Sequence, residues 1–170
     1  MRAYRMLTIA SITLMGGLLV AACGSDAEAL SKPEFIEQAN AICQASQDEA
    51  DPLFEAAFAE FEDLDPNDPA TQEFLYARFA EAMDEIKPIL DQQLDDIRAL
   101  EPPSEDKDFI ETLIADQDAA LTEFVGLLDA ALAGDEEARA IIDSEEEDPF
   151  ADIDRRAREY GLTVCGTHDG

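Results

Sequence analysis

Tryptophan is absent from this 170-residue chain, histidine occurs once, and 11 Lys and Arg stand against 41 Asp and Glu. The one histidine, His168, lies two residues from the end, so no Ser-His-Asp, Cys-His or three-His zinc arrangement can be built inside a fold. The Glu-x-x-His pairs of a ferritin-like di-iron bundle are missing, as are Gly-rich phosphate loops and a Gly-x-Ser-x-Gly nucleophile elbow. The shortage of basic residues leaves a formal charge of −30, which repels phosphate backbones and anionic head groups and excludes nucleic acid as a partner. Paired carboxylates can hydrolyse glycosides, so a hydrolase of envelope polymer stays open as an alternative. With 41 acids, however, no pair stands out, and Trp, a common sugar-stacking residue, is not there. The expectation is a non-enzymatic protein without a cofactor.

What charge the chain does carry is ordered. Arg2 and Arg5 precede any acid, the first being Asp26, and an apolar run follows as far as Ala22, the n-region and h-region of a signal peptide. The run contains Thr8, Ser11, Thr13 and the Gly16-Gly17 pair, which makes it short and weak for a helix that must cross about 30 Å of hydrocarbon. Its end, Leu19-Val20-Ala21-Ala22-Cys23-Gly24-Ser25, resembles the lipobox of bacterial lipoproteins, in which an apolar and two small residues precede a Cys that takes a diacylglyceryl group. The resemblance implies cleavage between Ala22 and Cys23 and lipidation of Cys23. Two acyl chains anchor stably where one holds only marginally.

Residues 1–22 are thus expected to be a lipoprotein signal peptide, 23–30 a lipidated tether, 31–166 a folded domain and 167–170 a tail. The protein is expected outside the cytoplasm, attached to the cell membrane through the lipid on Cys23. Loss of Arg2 and Arg5 leaves nine of the 11 basic residues against 41 acids, a formal charge of −32. Long apolar stripes and nine Phe set the chain apart from disordered sequences of high charge. Scarce Lys beside abundant acid also suits a high-salt habitat.

Ser31-Lys32-Pro33-Glu34 is a capping box, and Leu30 and Phe35 are placed for a hydrophobic staple. From Phe35 apolar residues recur at helical spacing through Ala39, Cys43, Ala50, Phe54 and Phe61, predicting a helix over about residues 32–61 with Pro52 placed to kink it. Asp68-Pro69 opens a second helix whose stripe runs from Phe74 to Leu100, with Pro88 inside it. Glu101-Pro102-Pro103 ends it, and Ser104 is expected to start a third helix that closes at Gly134. Residues 135–143 can form a short helical segment, 143–148 a solvated acidic connection, and Asp148-Pro149 a last short helix ended by Gly161. The fold class is all-α: an antiparallel bundle of three long helices plus a short fourth, tied by one disulfide.

Lipidation of Cys23 leaves Cys43 and Cys165, an even number in a compartment that permits disulfides. Cys43 stands about 18 Å into the first helix. The short last helix descends from the far end of a bundle about 45 Å long, and the residues after Gly161 arrive near that level. A Cys43–Cys165 bond is expected, with free redox thiols as the competing reading. Phe35-Ile36 to Ala41-Ile42-Cys43 and Tyr160-Gly161-Leu162-Thr163-Val164-Cys165-Gly166 resemble the two ends of uncharacterised secreted helical lipoproteins of actinobacteria. The resemblance covers only those two stretches, supports the pairing, and brings no activity with it.

Asp63, Asp65 and Asn67 occupy the first, third and fifth places of an EF-hand-like loop, whose oxygens suit calcium. Asp68 stands where the loop needs Gly and Phe74 where it needs Glu, and turn and capping use accounts for the same residues. A low-affinity calcium-binding envelope protein is therefore an alternative, and the main reading is a binding or interaction module whose partner is an envelope protein or polymer. Arg155, Arg156 and Arg158 form the one basic cluster, suited to a helix C-terminus and its neighbouring acids.

Overall fold

The computed structural model describes residues 29–59, 64–65, 68–144 and 148–166. The signal peptide with Ala22 and Cys23, the ends of the calcium-loop candidate (Asp63 and Asn67), and His168 lie outside the described residues. Five helices form: α1 Lys32–Phe58, α2 Pro69–Ala99, α3 Lys107–Leu132, α4 Glu136–Ile142 and α5 Ala151–Tyr160. Among the described residues there is no strand, as the helical period of the stripes requires.

The start of α1 is built as its sequence dictates. The Ser31 backbone N–H donates to Glu34 Oε2 at 3.1 Å and the Ser31 hydroxyl donates to the same oxygen. These bonds hold the Glu34 carboxyl below its usual range. Leu30 packs in the same core cluster as Phe35, closing the staple, and its N–H donates to Glu101 O at 2.8 Å. The helices run unbroken through Pro52 and Pro88, whose rings are exposed. Asp68 caps α2 by accepting from Ala70 N at 2.9 Å.

The third helix departs from expectation: it begins at Lys107, not Ser104. Pro103 O accepts the Asp106 N–H at 2.9 Å in a tight turn, and the Ser104 hydroxyl turns to Glu105. Asp106 at the N-cap makes no capping bond, because its carboxylate is bound by Tyr160 at the other end of the chain. The last helix likewise starts two residues after Pro149, once Asp148 Oδ1 has accepted Phe150 N at 2.9 Å. Gly134 at φ 90° and Gly161 at φ 117° end α3 and α5 in the left-handed conformation that glycine adopts without a Cβ clash.

The helix α2 packs against both α1 and α3, and α3 carries α4 and α5. At the end where α1 starts, Phe35, Cys43, Leu94, Ile110, Ile153 and Leu162 share one core from four parts of the chain. At the other end Tyr76, Ala131 and Ala138 dock α4. Among the described residues no helix is long and apolar enough to cross a membrane.

Candidate functional site

Three places on this bundle gather side chains from distant parts of the sequence. The first is the bond between Cys43 and Cys165, whose Cα atoms are 5.1 Å apart across 122 residues. It forms where the descent of α5 brings the chain level with Cys43. Neighbouring polar groups hold the same segment. Asn40 Nδ2 donates to Gly161 O at 3.1 Å, Val164 N donates to Asn40 Oδ1 at 3.0 Å, and Gln47 Nε2 donates to Val164 O at 3.0 Å. Asn40 and Gln47 carried no signal in the sequence, since polar residues three or four positions from a Cys look like any solvated helix face.

The second place lies at the same end of the bundle. Tyr160 Oη donates to Asp106 Oδ2 at 2.8 Å, and Lys32 Nζ sits 3.8 Å above the Tyr160 ring and 3.8 Å from Asp106. Phe109 stacks on Tyr160 at 5.2 Å and Phe35 meets its edge at 6.3 Å. Burial, and then the Asp106 carboxylate, push the Tyr160 phenol above its ordinary value. With its hydroxyl donated to Asp106 and its ring against Lys32, Phe35 and Phe109, this tyrosine ties α5 to the starts of α1 and α3.

The third is a cavity of about 330 Å³ between the three long helices, the end of α4 and the residues 148–150 just before α5. Its walls include Phe54, Phe79, Met83, Leu121, Phe124 and Phe150. The rings follow one another edge to face: Phe79 and Phe124 at 5.7 Å, Phe124 and Phe150 at 5.9 Å. Gln117, Ser144 and Asp148 supply the polar groups. That size, apolar lining and small set of polar atoms are what small-molecule sites show. Sequence reading could not find it, because an apolar stripe reads the same whether its side chains fill a space or surround one. A second hollow, the open groove of about 810 Å³ between α2 and α3, has Ile97, Ile110 and Ile114 at its base and paired charges such as Arg98 and Asp118 on its rim.

The other candidates do not converge. Asp65 is exposed, and its backbone oxygen accepts the Asp68 N–H at 3.1 Å, the turn geometry that the sequence also allowed. Among the described residues no group of three or more His, Cys, Asp or Glu is placed to hold a metal ion. The basic cluster is consumed internally: Arg155 pairs with Asp152 and Glu159, Arg156 with Asp116 and Asp152, and Arg158 donates to Gly166 O. The hydrogen bonds that Arg155 donates to Asp152 and Glu159 raise its pKa further.

No protein-family model, curated protein or solved structure matches the chain.

Proposed function

We propose that this protein is a lipid-anchored binding module of a bacterial cell envelope, working outside the cytoplasm and without catalysis. The observation that carries the reading is the Cys43–Cys165 disulfide, a bond that persists in oxidising compartments and is rare in the cytosol. It supports the export expected from Arg2, Arg5, the apolar run and the lipobox-like Leu19 to Cys23. The resemblance to actinobacterial secreted lipoproteins rests on Cys43 and Cys165 and the residues around them.

Anchoring also fits the shape of the described chain. Leu30 is bonded to Glu101 at the end of the bundle where α1 starts, and the seven residues back to Cys23 span at most about 25 Å of chain. A formal charge of −30 gives the bundle no attraction of its own to anionic lipid. The acyl chains supply the attachment, and the bundle supplies the binding surface, with the aromatic cavity as one recess in it.

Metabolic labelling with a clickable palmitate, followed by membrane fractionation, tests this. The wild-type chain should carry label and sediment with membranes, and Cys23→Ser should carry none and lose the processed, membrane-held form. Label retained in the variant, or an unlabelled wild-type chain in the soluble cytoplasmic fraction, would overturn the proposal.

A further inference from the structure

The open groove between α2 and α3 is lined only by the end of α2, the turn after it and the face of α3 from Lys107 to Glu123. That stretch of α3 runs about 24 Å. Ile97, Ile110 and Ile114, all buried, form the base. Along the wall stand Ala115, Ala119 and Thr122, exposed and spaced so that they share one face of α3. Side chains this small let a second helix lie at the short end of the usual axial separation of about 8–10 Å.

The form of the occupant follows from its backbone. An extended peptide docks by adding to a sheet edge, and the described residues hold no strand. A helix satisfies its own backbone groups and needs only an apolar stripe to meet the isoleucines and alanines. The charge of the occupant follows from the rim. Arg98 lies 3.1 Å from Asp118 and Lys107 3.9 Å from Glu111, so both cations of the lining are taken. Glu101, in the turn before α3, and Glu123, the last α3 residue of the lining, are exposed, and no cation pairs with either among the described residues. A second copy of the chain brings its own formal charge of −30 to this face and is repelled, as an anionic lipid surface is, whereas a basic helix is attracted.

We propose that this groove docks a basic amphipathic helix of a partner protein, its apolar stripe on Ile97, Ile110 and Ala119 and its cations opposite Glu101 and Glu123. The inference rests on the reading of the chain as a binding module, but it does not need the anchor on Cys23.

A synthetic helix of about 18 residues, long enough to span the groove, tests it; it is built of Leu and Lys, with Leu at helical spacing and a benzophenone on the apolar face. With the full chain in nonionic detergent, crosslinks should fall on the peptides that hold Ile97, Ala115 and Ala119. Ala119→Trp fills the groove and should weaken binding about tenfold, while Ala45→Trp, exposed on α1, should leave it unchanged. If Ala119→Trp does not accumulate, Ala115→Lys carries the comparison. Glu101→Gln with Glu123→Gln should weaken binding about threefold more than Glu37→Gln with Glu49→Gln, which remove the same charge from α1. Equal losses in the two double variants, equal binding of a peptide with the same Leu and Lys in an order that has no stripe, or crosslinks spread over the bundle would overturn the proposal. So would self-association of the chain that Ala119→Trp abolishes. A Cys23→Ser chain that still binds at the groove would keep this site even where the anchor fails, and a lipidated chain that fails these tests would refute the site alone.

Discussion

Asn40 Oδ1 accepts the backbone N–H of Val164 at 3.0 Å across 124 residues of sequence. The same side chain donates to Gly161 O at 3.1 Å, so one carboxamide satisfies two backbone groups of the segment that follows α5. A buried backbone group that loses its partner costs about 1–3 kcal/mol. Asn40→Ala should therefore lower the urea unfolding free energy by about 2 kcal/mol, with the slope against urea unchanged. Asn40→Asp keeps the acceptor but loses the donor and should fall between the two. A loss within experimental error for Asn40→Ala would show that these two bonds do not hold the segment.

The Cys43–Cys165 bond closes a loop with a sequence separation of 122. In the chain-entropy account such a loop contributes about 5 kcal/mol, an upper value. Reduction, or the paired Cys43→Ser and Cys165→Ser substitution, should cut stability by about 3–5 kcal/mol. It should also raise hydrogen exchange first at residues 161–166. Equal stability of the oxidised and reduced chains, measured by denaturant titration, would contradict this.

Gly161 sits at φ 117°, and a Cβ built there would lie 2.8 Å from Ile36 Cδ1. Both the backbone and the contact oppose a side chain, and the combined cost is about 1–3 kcal/mol. Gly161→Ala should lower the melting temperature clearly. Gly134→Ala, at φ 90° with open space around it, should lower it less, since only the backbone cost applies. A larger loss at Gly134 would break the link between Ile36 and the α5 terminus.

Alkaline pH should weaken the fold through two tyrosines. Burial first, and then the hydrogen bond to Asp143, push the Tyr76 phenol up to about 12, while burial and Asp106 raise Tyr160. An unfolded tyrosine titrates near 10. The raised folded values therefore contribute stability that is fully present below pH of about 10, declines above it, and is lost once pH has passed through about 12. Urea midpoints at pH 8, 9.5 and 11 should fall less for the double variant Tyr76→Phe, Tyr160→Phe than for the wild type. Parallel declines would assign the alkaline loss to other groups.

The parts of this fold that the sequence made legible are those governed by local chemistry. The Ser31 and Glu34 box, the Asp68 cap and the two terminal glycines each work within a few residues, and each stands where those residue types place it. The Cys43 and Cys165 pairing was legible for a different reason: rigid helices turn residue counts into distances, and setting Cys23 aside as the expected lipidation site leaves the other two one partner each. What stayed hidden depended on tertiary contact. Ser104 is a good capping residue, yet the third helix begins at Lys107, because Pro103 makes a turn and Asp106 is drawn to Tyr160. Asn40 is one polar helix residue among many until Val164 arrives. The cavity around Phe124 depends on which apolar side chains fail to meet, a property of packing that periodicity does not carry.

The intact mass of the protein extracted from its own membranes tests the central claim most directly. The account predicts a chain that begins at Cys23, heavier than residues 23–170 by a diacylglyceryl group and lighter by the two hydrogens of the Cys43–Cys165 bond. A chain that begins elsewhere, or a Cys23 without lipid, would contradict the reading of this bundle as a tethered envelope module.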